Sequence, residues 1–238
     1  MELLQNKHVL IVGATGGIGA ETARLVAKNK AVLYLAGRDA TKLRAVGESA
    51  GVPEARQFAL DVTDASAVAA MAQQIHAQTA QLDVLINAAG IGIIKPIEKL
   101  TEEDFRKTID VNLNGSFYLM KQFLPPMKSA KQGLVINIPG VLGKTPMAGA
   151  SAYAASKYGL DGMTKSLREE LKRTQVRITN VYLGGVNSPF WEDIDLRVPH
   201  EKMITVREAA RSIWFLCQQP SSGVVSEMVI QPFYHQAI

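Results

Sequence analysis

Tyr153 and Lys157, in the run YAASK, stand at i and i+4, a spacing that sets two side chains on one face of a helix. A free phenol titrates near ~10, and a nearby ammonium favours its ionised form. Such a tyrosine can give a proton to a carbonyl oxygen or take one from an alcohol. Alone, the pair is also the pattern of an amphipathic helix with a core aromatic beside a solvated lysine. The elements around it must decide between the two.

Strands and helices alternate along all 238 residues. Short β-branched runs predict strands at 8–12, 31–36, 55–60, 83–88, 134–138, 176–183 and 228–230. Helical spacing predicts helices at 18–28, 41–49, 65–79, 151–174 and 206–218. A single long helix is expected from Thr101, with Asp104 in capping-box position, to an end at Pro125-Pro126. Nearly continuous apolar strands alternating with helices argue for a parallel sheet covered on both faces. The expected fold is α/β, one domain over residues 1–238, a doubly wound sheet of about seven strands.

The first strand runs into VGATGGIG, which sets Gly13, Gly17 and Gly19 between strand and helix, with Thr15 and Ile18 among them. Glycines permit the tight turn and close backbone approach, and a helix start offers N–H groups and a positive dipole end to a phosphate. At this place in an alternating chain, the turn points to dinucleotide binding. The second strand ends Ala36-Gly37-Arg38-Asp39. An acid at that tip takes a ribose 2′-hydroxyl, whereas an arginine accommodates a 2′-phosphate. With Arg38 the first charge there, NADP(H) is the expected cofactor, and Asp39 is free to cap the next helix. Moving Tyr153 close to neutrality needs about 3–4 kcal/mol, which a partly desolvated Lys157 and a cationic nicotinamide would supply together. The cofactor would then move the hydride.

Composition narrows the partners. The formal charge is +4, with no basic block interleaved with aromatics, so nucleic acid is not an expected partner and an anionic small molecule is. The four histidines, His8, His76, His200 and His235, show no metal-ligand spacing. One cysteine, Cys217, rules out an intrachain disulfide and suits the reducing cytoplasm. MELLQNKHVLIVG lacks the pattern of a signal peptide, and no run of about 18 apolar residues predicts a membrane span.

Taken together these motifs resemble the classical short-chain dehydrogenase/reductase family over nearly the whole chain. Gly13-xxx-Gly17-x-Gly19 matches the family's cofactor turn, with Val12 where a threonine is usual. Asp61-Val62 resembles its adenine-pocket pair, and Asn87-Ala88-Ala89-Gly90 is a variant of its Asn-Asn-Ala-Gly motif. Asn112, in VNLNG, matches the asparagine that holds a water in the family's proton relay, and Tyr153 and Lys157 match the catalytic pair. After strand six, Gly184, Val186 and Ser188 fall where the family walls the nicotinamide, Leu183 standing where proline is usual and Ser188 where threonine is. The resemblance implies a Rossmann fold, NAD(P)-linked carbonyl–alcohol chemistry, and a homodimer or homotetramer built on the two long helices.

One departure bears on the chemistry. The family's substrate-binding serine commonly lies thirteen residues before the tyrosine, and that position is Gly140, preceded by Pro139. A donor to the reacting oxygen is worth about 10²–10³ in rate; Thr145 and Ser151 are the nearby hydroxyls that could replace it. The segment from Ser188 to Thr205 is the expected substrate lid, with Phe190, Trp191 and Met203 as an apolar wall or as packing onto the core. The leading expectation is an NADPH-dependent reductase of ketones or aldehydes, with Tyr153 as acid/base. The alternative is a non-catalytic or weakly active NADP(H)-binding homologue.

Overall fold

In the computed structural model the chain is described over residues 4–238, apart from 193, 197 and 221. The element order is β1 (His8–Val12), α1 (Gly17–Ala27), β2 (Val32–Gly37), α2 (Ala40–Ala50), β3 (Gln57–Ala59), α3 (Ala65–His76) and β4 (Val84–Asn87). There follow α4 (Glu102–Ile109), a π-helical turn (Asp110–Asn114), α5 (Gly115–Ser129), β5 (Gln132–Asn137), α6 (Ser151–Leu171) and β6 (Gln175–Leu183). Last come β7 (Val186–Asn187), β8 (Ile204–Thr205), α7 (Val206–Leu216) and β9 (Glu227–Ile230).

Seven strands form one sheet in the order β3-β2-β1-β4-β5-β6-β9, and every pairing is parallel. Strand side chains alternate faces, so Val9 and Ile11 enter a core with Ala23, Val26, Ala209 and Ile213 of α1 and α7. Leu10 and Val12 enter the other, with Val68, Met71, Leu119 and Phe123 of α3 and α5. Both faces are buried, which is why the strands read as unbroken apolar runs. The chain steps outward from β1 to β3 and then returns to β4 beside β1. The crevice above the carboxyl ends of β1 and β4 is therefore the switch point where an open α/β sheet takes its ligand.

The expected long helix is divided. Its start is as predicted: Thr101 Oγ1 accepts from Asp104 N at 3.1 Å and Asp104 Oδ2 accepts from Thr101 N at 3.2 Å. The π turn then widens it at Asp110–Asn114, and Pro125-Pro126 lie inside α5 rather than ending it. The prolines lack N–H groups, but their position in the final turns lets Ala130 N still close onto Pro126 O at 3.0 Å. Other predicted elements shift by a few residues at their ends, and the short β7–β8 pair lies outside the main sheet. Asp39 caps α2 by accepting from Lys42 N at 2.9 Å.

Candidate active site

The glycine turn is built by contact. Gly13 has φ +81°, and a Cβ there would lie 2.6 Å from the Ala88–Ala89 backbone. A Cβ on Gly19 would lie 2.2 Å from Gly13 O. The turn thus presses against the end of β4, which Ala88 N joins to Val12 O at 2.9 Å. Helix α1 has Gly16 at its N-cap, without a side-chain cap and without an acid in its first turn. Its opening amides and positive dipole end, at Gly17 and Ile18, suit a phosphate. Thr15 packs over Gly37, where a Cβ would come within 2.8 Å of its methyl, and Arg38 stands exposed next to it. Asp61 accepts from Thr63 N and Oγ1 at 2.9 and 2.8 Å, while the Val62 side chain is buried against Gly115. These residues fit a phosphorylated dinucleotide: an acid-free helix start, a glycine cradle that no side chain can enter, and a free guanidinium at the ribose end.

Beyond the turn, the ends of β4 and β5 meet α6. Lys157 is 3 % exposed. Its Nζ donates to Ile138 O at 3.2 Å and lies 5.4 Å from the centre of the Tyr153 ring. Gly90 leaves room for both neighbours, since a Cβ there would stand 3.2 Å from Asn112 Oδ1 and 3.3 Å from Lys157 Nζ. Asn87 is buried one strand over and donates to Ser116 Oγ at 2.8 Å.

Asn112 sits in the middle of the π turn and is fully buried. Its Oδ1 accepts from Ile91 N at 2.9 Å, and its Nδ2 donates to Ile91 O and to Ser156 Oγ, each at 3.0 Å. Ser156 in turn donates to Tyr153 O at 2.7 Å. The side-chain amide is thus a clamp between the loop after β4 and the first turns of α6. The Asn112 main-chain carbonyl accepts from Ser116 Oγ at 2.8 Å. Ser156 and the Ile91 backbone were not expected at the site. Their one sequence signal is the serine three residues after Tyr153, which becomes meaningful only once the π turn is known.

Burial alters the expected electrostatics. It pushes the Tyr153 phenol well above its ordinary value and draws Lys157 down to about 8. In the polypeptide alone, desolvation sets both directions; the expected lowering of the tyrosine combines Lys157 with a cationic nicotinamide.

At the strand tip, Gly140 takes φ +72° and ψ 168°, a region essentially reserved for glycine. Apart from its chain neighbours, a Cβ there would find only Leu183 O at 3.4 Å and Tyr153 Oη at 3.8 Å within reach. Neither Thr145 nor Ser151 enters that space, so neither replaces the serine there. Phe190 meets Tyr153 edge-on with centroids 6.0 Å apart, and Trp191 meets Phe190 edge-on at 5.4 Å while donating to Val186 O at 2.8 Å. A Cβ on Gly92 would come within 2.4 Å of the Phe190 ring, so the lid rests on the loop after β4. Met203 faces Gly185 instead. Ser188 and Pro189 pack over Gly17, and Gly184 lies against Pro232. No group of His, Cys, Asp and Glu among the described residues is arranged to hold a metal. No helix among them is long and apolar enough to cross a membrane.

A model of the short chain dehydrogenase family matches residues 7–198. The chain belongs to this family. An uncharacterised oxidoreductase of Staphylococcus saprophyticus is 30% identical over 234 residues, covering 96% of this chain and 98% of its own. A 3-oxoacyl-[acyl-carrier-protein] reductase of Thermotoga maritima is 30% identical over 236 residues, covering 95% and 96%. Among solved structures, a metagenomic short-chain oxidoreductase in complex with NADP superposes with a TM-score of 0.84 at 33% identity, covering 97% of this chain and 99% of its own. The alcohol dehydrogenase of the archaeon Thermococcus sibiricus, complexed with 5-hydroxy-NADP, gives 0.86 at 25%, covering 97% and 98%.

This short-chain dehydrogenase gathers its predicted site residues along one edge of the sheet. Gly13, Thr15, Gly17, Ile18 and Gly19 follow β1, and Arg38 follows β2. Asp61 and Val62 follow β3, and Asn87, Ala88 and Gly90 are at the end of β4. Gly184, Val186 and Ser188 follow β6. Asn112, Tyr153 and Lys157 reach the same edge from the helices between.

Proposed function

We propose that this short-chain dehydrogenase is an NADPH-dependent reductase that converts a ketone or aldehyde carbonyl to an alcohol, reversibly. The observation that carries the reading is the convergence of Tyr153, buried Lys157 and Asn112 beside Gly90 at the switch-point crevice. NADP-bound relatives of the same fold, and the exposed Arg38 at the end of β2, support NADP(H) over NAD(H). Gly13 to Gly19 would hold the pyrophosphate, Arg38 the 2′-phosphate, Asp61 and Val62 the adenine, and Asn87, Ala88, Gly90, Gly184, Val186 and Ser188 the nicotinamide half. When bound, the cofactor supplies the hydride that reaches the carbonyl carbon. Tyr153 Oη gives its proton to the carbonyl oxygen, so hydride and proton together complete the alcohol. Lys157, charged below about pH 8, stabilises the phenolate left behind and stands ready to return a proton to it. Asn112 holds the Ile91 loop and α6 in register around that pair. Phe190 and Trp191 cover the crevice and exclude water.

The whole chain, 1–238, would act as one cofactor-binding domain in the cytoplasm. Exposed Phe105, Phe117 and Tyr158 on α4, α5 and α6 support assembly as a homodimer or homotetramer. A second reading, a weakly active NADP(H)-binding homologue, is favoured by Gly140. NADPH oxidation across a panel of ketones and aldehydes, in wild type and Tyr153→Phe, separates the two. Turnover that falls 10²–10⁴-fold in the variant, the usual worth of a general acid, with unchanged NADPH affinity, supports the reductase. No turnover of any carbonyl by a folded, NADPH-binding wild type supports the second reading.

A further inference from the structure

Among the described residues, the strand tip facing Tyr153 offers no side-chain donor at positions 139 and 140. Pro139 has no N–H, and Gly140 N already donates to Val181 O at 3.3 Å. The space beside Tyr153 is real all the same, because among the described residues, its chain neighbours aside, a built Gly140 Cβ meets only Leu183 O and Tyr153 Oη within 4 Å. The left-handed backbone at φ +72° fixes glycine there and keeps the space clear.

The space also has an acceptor. On β6, Gly184 N donates to Ile230 O of β9, whereas Val181 O accepts from Gly140 on the β5 side. Alternate residues of a parallel strand face alternate neighbours. Leu183, in phase with Val181, turns its carbonyl toward β5 beyond the point where β5 has stopped. The result is a notch with a carbonyl oxygen on one wall and the acid's hydroxyl on the other.

We propose that the notch selects carbonyl substrates carrying a hydroxyl on the adjacent carbon, the hydroxyl filling the space of the missing serine side chain and donating to Leu183 O. This rests on the carbonyl-reductase reading of the same site. The substrate then brings the polar group that the chain omits, and its carbonyl oxygen lies against Tyr153 Oη for protonation. The electron-withdrawing hydroxyl also makes the carbonyl more ready to accept hydride, which reduces the need for a second protein donor. A ketone with a methyl in place of the hydroxyl would leave Leu183 O without a partner, an outcome that sites built for hydroxyls penalise strongly.

The test uses three matched ketones on the full chain with NADPH: 2-hydroxyacetophenone, 2-methoxyacetophenone and propiophenone. The methoxy compound keeps electron withdrawal and removes the donor. The hydroxy ketone should exceed both others in kcat/KM by about tenfold or more, and Gly140→Ala, whose methyl enters the notch, should bring that ratio toward one. Calorimetry gives a readout independent of turnover and of the variant's folding. 1-phenyl-1,2-ethanediol should bind the NADPH-loaded wild type about tenfold tighter than 1-phenyl-1-propanol. Similar kcat/KM for hydroxy and methoxy ketones overturns the notch reading while the reductase reading stands. Absence of turnover with every ketone overturns the reductase reading, and the diol comparison alone then decides the notch, equal affinities overturning it.

Discussion

Gly140→Ser puts the family's usual hydroxyl back into a backbone that was not built for it. The added Cβ itself fits, with Leu183 O at 3.4 Å and Tyr153 Oη at 3.8 Å, both ordinary contacts. One bond further, Oγ comes within hydrogen-bond reach of Tyr153 Oη and of any oxygen Tyr153 protonates. The cost lies in the backbone. A non-glycine residue held at φ +72° and ψ 168° stores about 1–3 kcal/mol, and Pro139 on its N-terminal side leaves the chain little freedom to relax. The gain is a donor worth about 3–4 kcal/mol in the transition state. If the strain stays in place, it should lower the melting temperature by roughly 2–12 °C and leave most of the donor's effect intact. We expect kcat/KM on a simple ketone such as propiophenone to rise about tenfold or more. The hydroxy ketone should lose its advantage, because its notch is filled. Pro139→Ser/Gly140→Ser loosens the tip and should show the larger gain. NADPH oxidation, thermal melts and an NADPH titration on each variant read the three effects separately. Folded variants with wild-type cofactor affinity and no gain on any simple ketone would show that a missing donor does not limit the reaction. A wild-type melting temperature would show that the glycine conformation is not what excludes serine.

Three further outcomes follow from the geometry. Arg38→Ala should weaken NADPH about 10–100-fold, in line with loss of a charged hydrogen bond, and leave NADH nearly unchanged; fluorescence titration with both cofactors checks this, and equal losses would remove Arg38 from the 2′-phosphate. Burial holds Lys157 at about 8, against about 10.4 in an unfolded chain. Between pH 8 and 10 the unfolded state therefore keeps a proton on Lys157 that the folded state releases, and this group's contribution to stability rises with pH. Denaturant unfolding should show the wild type gaining about 2 kcal/mol relative to Lys157→Met over that window, the buried Cys217 thiol, pushed up to about 12, opposing the rise equally in both; parallel slopes would locate the effect elsewhere. Gly92→Ala drives a methyl into the Phe190 ring, 2.4 Å away, so it should lift the lid and raise KM several-fold with little change in melting temperature. An unchanged KM would mean that this contact does not shape the substrate site.

The cofactor half of the site was legible because each residue there does its work through the main chain or through local spacing. A turn where a Cβ would lie 2.6 Å from another backbone admits only glycine, so Gly13 announces itself by residue type, and Arg38 by following the second strand directly. Tyr153 and Lys157 share a helix, and four residues are enough to pair them. The seven parallel strands were legible because burial on both faces leaves no room for polar alternation. The long helix was read as uniform, since nothing in DVNLN distinguishes a π turn from an α-helical one. That turn nevertheless aims Asn112 at Ile91 and Ser156, residues 21 and 44 positions away, and long-range clamps of this kind leave no periodic trace. The two-residue strands β7 and β8 are too short to carry a pattern. The electrostatics of the pair were legible only in part for a related reason: spacing reveals the ammonium beside the phenol but not the depth at which both are buried, and at 3 % exposure of Lys157 desolvation opposes the charged form of each. The strand tip combines the two cases. Residue type revealed that Gly140 lacks a hydroxyl, while the conformation that keeps it glycine and the Leu183 carbonyl beside it emerge only from the pairing of β5 with β6. A missing side chain thus becomes a shaped space with an acceptor on its wall, and under the reading proposed above what fills that space sets which carbonyl Tyr153 protonates.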